Sequence, residues 1–140
     1  MATTPTVAWQ VIVASTYSFN LNNGGSPAAS IALVRPDKLR LWVQVTGTVP
    51  GDPAPGGTLA VTSTPSTGVT ISDNNFDGGS DSNHEGSGTV AENNSSQAEA
   101  GFVLSFANAG TFIVSAAYTE VGDSNYSNAT IADPLTITVT

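Results

Sequence analysis

The chain has 140 residues, only 10% of them charged, and eleven carboxylates against three bases give a formal charge of −8. That balance repels a phosphate backbone and anionic lipid, so it argues against nucleic acid and membrane surfaces as partners. With no cysteine, the chain has no disulfide, thiolate nucleophile or thiolate metal site.

The length suits one domain with a single core. Abundant Gly, Pro, Thr, Ser, Asn and Val favour strands and turns over helices. The opening MATTPTVAWQVIVAS lacks the basic region and long apolar run of a secretory signal, and nothing approaches the ~20 apolar residues of a membrane span. The expectation is a protein that acts without secretion, or a unit excised from a longer frame.

Between Thr6 and Leu21, Val7, Trp9, Val11 and Val13 alternate with Ala8, Gln10, Ile12 and Ala14, so both faces are fairly apolar. This predicts a strand covered on both sides. Tyr17, Phe19 and Leu21 continue the alternation as a second strand or as the far half of one bent strand, until NNGGSP stops it. A short strand over 31–34, a turn at RPDK and a strong strand over 39–46 follow. In that strand Leu39, Leu41, Val43 and Val45 point inward, which leaves Trp42 on the outer side with Arg40, Gln44 and Thr46. The three bases, Arg35, Lys38 and Arg40, all lie here, where a solvated turn is the expected role and an anchor for an acidic partner the alternative.

TVPGDPAPGG, over 48–57, cannot continue a ladder and reads as a loop. Short strands are predicted over 58–64 and 68–72 around Pro65, then a polar tract over 73–88, a brief strand over 89–92 and a longer one over 98–106. From Asn108 the chain forms a terminal hairpin, with Phe112, Val114, Ala116 and Tyr118 on one face and Leu135, Ile137 and Val139 on one face of its return. No stretch sustains apolar spacings of three and four residues. Many short strands without a helical crossover predict an all-β chain, an antiparallel β-sandwich.

The terminal residues AGTFIVSAAY, GDSNY and PLTITV carry a likeness. The segment 30–140 resembles bacterial immunoglobulin-like domains, of the group 3 type, whose repeats end in such a hairpin. The resemblance implies an immunoglobulin-like sandwich over 30–140, with 1–29 an N-terminal arm or extra strand outside the usual module. Where the wider immunoglobulin pattern has its corner Tyr and its Cys, this chain has Phe112 and Val114, so burial must hold the sheets together. Such modules serve as spacers, adhesive units or decorations and are very rarely catalytic. The expected function is therefore a non-enzymatic structural or display module, in first place a phage virion decoration or tail protein at the virion surface, partnered by capsid or tail subunits. The alternatives are a bacterial cell-surface adhesin or filament module, extracellular, and a glycan-binding module.

Candidate chemistry is sparse. Asp73, Asn75, Asp77 and Gly78 satisfy the opening of a calcium loop, in which alternate oxygens face a cation. The twelfth position, however, holds His84 where the motif needs Glu, and a polar surface loop is the better expectation. His84 is the only histidine, and the acids Asp73, Asp77, Asp81 and Glu85 sit without an apolar pocket to raise a pKa. The candidate interface residues are Trp9, Val11 and Val13, which would fill a partner's pockets if the first strand adds to another subunit, and Trp42, which would be an anchor or a glycan-stacking platform if uncovered.

Overall fold

Period-two alternation becomes strands throughout the described residues. The computed structural model describes residues 2–21, 25–48, 55, 57–73, 91–94, 97–120 and 125–140. Its strands are β1 (Thr6–Ala14), β2 (Tyr17–Asn20), β3 (Ser30–Leu33), β4 (Leu39–Thr46), β5 (Gly57–Thr64) and β6 (Val69–Asp73), followed by β7 (Ala91–Asn94), β8 (Gln97–Phe106), β9 (Gly110–Glu120), β10 (Ala129–Thr130) and β11 (Leu135–Val139).

Two sheets pack together. The first runs β2–β1–β4–β8–β6, with β7 also against β8. In the second, β9 carries β5 along one edge and both β10 and β11 along the other, and β3 lies outside β11. Among the described strands every pairing is antiparallel except β3 with β11, which is parallel.

The core is the union of the two inner faces. Leu39, Leu41, Val43 and Val45 of β4 join Phe102 and Leu104 of β8, and all six form one cluster with Phe112, Val114, Ala116 and Tyr118 of β9 and Leu135, Ile137 and Val139 of β11. The inward sets predicted for β4, β9 and β11 are thus all buried. Phe112 and Val114 bind the sheets by packing: Phe106 and Phe112 meet with ring centroids 5.0 Å apart and planes tilted by 56°. Tilted aromatic pairs of this kind add to simple burial.

After Thr6 every residue of the first strand is buried or half-buried, as the expected cover on both faces requires, but the alternation is interrupted. The N-terminal segment forms two strands, joined by a tight turn at Ser15 and Thr16. A β-bulge between Trp9 and Val11 shifts the β1–β4 register by one residue. Before it Val7 and Trp9 point inward, opposite Val45 and Val43; after it Ile12 points inward, opposite Leu41, while Val11 and Val13 face out. An extra residue in one strand switches its faces. The bulge thus splits the inward set across both alternation classes, while Ala8, Val11 and Val13 stay half-buried on the outer side. Val7, Trp9, Ile12 and Phe19 all belong to the core cluster.

The terminal hairpin also departs from simple form. Thr130 sits opposite Ala117 and Leu135 opposite Val114, so the four residues between β10 and β11 span a gap of two positions. Ile131 keeps a main-chain bond to Ala116 and is buried. The displaced Asp133 carbonyl accepts a 2.8 Å hydrogen bond from the Trp9 indole Nε1, which ties the first sheet to the last strand pair. Thr3 adds a second tie by bonding Asn125 and Ser127 through the main chain. Gly47 packs against the phenol of buried Tyr126, where any Cβ would collide with the hydroxyl.

Trp9→Ala should cost about 3–5 kcal/mol in urea unfolding, as for other large aromatics removed from cores. Trp9→Phe, which keeps most of the volume but loses the donor to Asp133, should cost about 1–2 kcal/mol. A chain truncated to begin at residue 29 should lose its cooperative thermal transition, because four core side chains leave with it.

Candidate functional site

The four candidate interface residues do not form one surface. Trp9 is 1% exposed and lies in the chain's own core, so it is not available to fill a partner's pocket. Val11, Val13 and Trp42 do share the outer face of the first sheet, with Val11 opposite Trp42 and Val13 opposite Arg40. The bulge at Gln10 makes that separation, since without it residues 9, 11 and 13 would share a face.

Trp42 stands on the outer side, as the alternation of β4 predicts, and takes no part in the core cluster. It is nevertheless only 8% exposed. In the two ladders it lies between Val11 and Gly101, and a glycine opposite a tryptophan leaves room for the indole. Gln10 and Gln44, also buried, belong to the same part of the molecule. Thr46 Oγ1 donates to Gln44 Oε1 at 3.5 Å, while Gln10 Oε1 accepts no bond from any described residue. A tryptophan this enclosed does not offer the open ring face that sugar stacking uses.

Of the calcium motif, Asp73 is the last residue of β6, and Asn75 and Asp77 lie outside the described residues. Among the described residues no group of three or more His, Cys, Asp or Glu side chains gathers as a metal site would require. His84, Asp77, Asp81 and Glu85 lie outside them as well.

The basic turn has structural work. Arg35 donates from Nη1 to the Ala107 carbonyl at 2.9 Å and from Nε to the Thr140 carbonyl at 3.3 Å, joining the β8–β9 turn to the end of β11. Asp37 latches the β1–β2 turn, its Oδ2 accepting from the Ser15 main-chain N–H at 2.9 Å and from the Ser15 hydroxyl at 2.7 Å. Its Oδ1 accepts from the Lys38 N–H at 3.0 Å. These bonds, the Ser15 N–H foremost, then its hydroxyl, the Lys38 N–H and the Arg40 charge, hold the Asp37 carboxyl below the ordinary aspartate range, against a small opposing effect of desolvation.

One feature was not legible in the sequence. A groove of about 300 Å³ opens between the edges of β5 and β6, lined by Val61, Thr62, Ser63, Ser66, Val69 and Ile71. Its sequence signal is indirect: Pro65 and Gly68 carry the chain from one sheet to the other, so consecutive strands become the two lips of a seam. Gly68 has φ +78° and sits where a Cβ would meet the Asn108 amide, and its carbonyl accepts from Ala107.

A scan against protein-family models and a search of curated proteins found no match to this sequence.

Because Asp37 is bonded as the carboxylate, its folded pKa lies below its unfolded value of about 3.9. Its stabilising contribution is complete above that value and is lost as pH falls through the folded pKa. Urea unfolding should therefore separate wild type from Asp37→Asn at pH 7, and the separation should close as the pH is taken well below about 3.9.

Proposed function

We propose that this chain is a non-catalytic, immunoglobulin-like structural module displayed on a larger assembly, in first place a phage virion. The observation that carries the reading is strand order. In the immunoglobulin arrangement, strands B, E and D face C, F and G. Here β4, β8 and β6 form one sheet, and β5, β9 and β11 the other, each strand in the chain position of its counterpart. β3 lies parallel to the last strand, and β1 takes the place beside β4 that the first strand of such domains occupies. β2 is thus an addition outside β1, at one edge of a sandwich whose interior is mainly apolar packing.

Such a module works mechanically. It presents surfaces at fixed separations and transmits no chemistry. The assembly contact fits the outer face of the first sheet near its added edge, where half-buried Val11 and Val13 adjoin exposed Arg40. Capsid or tail subunits are the partners this reading names. Reading frames beside the coding region test it: neighbouring capsid or tail genes support the virion reading, and a continuous secreted multidomain frame replaces it with a cell-surface adhesin. On a glycan array the protein should be silent, and Trp42→Ala should lower the melting temperature without changing any array signal, because the indole is enclosed.

A further inference from the structure

We propose that the seam between β5 and β6 is a strand-addition site, which takes an extended segment of another polypeptide with alternating aliphatic side chains and neutral or basic flanks. This site is separate from the assembly contact and stands whether or not the virion reading holds.

Sheet edges are ordinarily blunted by brevity, charge, proline or a bulge, because an open row of N–H and C=O groups templates another strand. β5 carries none of these. It runs eight residues, GTLAVTST, without a charge or a proline. Its register with β9 is unbroken from Gly57 opposite Glu120 to Thr64 opposite Ile113. Among the described residues β9 is the only strand paired to β5, and β8 the only one paired to β6. By contrast the edge strands β2 and β3 have four residues each.

The groove adds what a bare edge lacks. Val61 forms its floor at 7% exposure, and Val69 and Ile71 remain only half-buried at its far lip. Its volume of about 300 Å³ suits a few aliphatic side chains set at every second position of a strand.

Area decides the occupant. A second folded copy paired β5 to β5 would meet along about 27 Å of strand, roughly 300 Å² per partner against the about 800 Å² of a standard interface, and would leave the groove empty. A single strand laid in the seam bonds to the β5 main chain and also fills the groove. The lip residues are uncharged, while the whole chain carries −8, so the field favours a neutral or basic segment and opposes an acidic one.

The test titrates the full chain with two synthetic peptides, Lys-Thr-Val-Thr-Val-Thr-Val-Lys and its Glu-flanked counterpart, and follows main-chain amide NMR shifts. The expected result is shifts confined to 57–64 and 69–73. The Lys-flanked peptide should bind at least tenfold more tightly than the Glu-flanked one at low salt, with the difference shrinking as salt rises. Thr62→Lys, at an exposed position on the lip, should weaken the Lys-flanked peptide at least tenfold, whereas Thr119→Lys, on the outer face of β9, should not. A peptide N-methylated at alternate residues should lose binding. Absence of shifts at millimolar peptide, shifts centred elsewhere, or indifference to both Thr62→Lys and N-methylation would overturn the proposal. Concentration-dependent pairing of β5 with a second copy would overturn the assignment of the occupant.

Discussion

The hydrogen bond from the Trp9 indole to the Asp133 carbonyl, 2.8 Å long, joins two irregularities in opposite sheets. One is the bulge at Gln10, which turns Trp9 inward and lets Ile12 follow it into the core. The other is the two-residue excess between β10 and β11, which frees the Asp133 carbonyl from the ladder. A cysteine-free sandwich relies chiefly on matched burial to hold its sheets. Placing the largest side chain of the first strand over the break in the last one meets that need, and it satisfies an indole N–H that would otherwise be costly to bury.

This arrangement also divides the surface. β1 belongs to the core through Val7, Trp9 and Ile12, so its outer residues Val11 and Val13 are presented on a rigid sheet. The latch of Asp37 on Ser15 fixes the turn between β1 and β2 at the same end as Arg35, Lys38 and Arg40. The outer face of the second sheet is different in kind, since Thr58, Ala60, Thr62, Thr64, Ile113 and Ala117 are all exposed and uncharged. Contact chemistry is therefore distributed among distinct places: a basic end, an uncharged face and the open seam beside it.

Much of the strand content was legible from alternation alone. Leu39 to Val45 and Phe112 to Tyr118 alternate cleanly because each strand has one face in the core and pairs without interruption. The same rule found the strand Thr6 to Ala14 but missed its bulge, which moves the inward set by one position. It also missed β10, whose two residues are too short to carry a period. Of the candidate site, the outward position of Trp42 was legible, but its low exposure was not, because burial depends on tertiary neighbours that a local period does not reveal.

By itself the sequence determined the all-β class, the inward faces of the long strands, the absence of any disulfide, and the acidic field that any partner must meet. These are properties of composition and local period, which do not require knowing which strands are neighbours. Tertiary structure alone decided that Trp9 points into the core and Val11 outward, that Trp42 is enclosed, and that β5 and β6 part to leave a groove. Each of these depends on register or on strand pairing between residues far apart in sequence, and one bulge or one crossing between sheets is enough to reverse them.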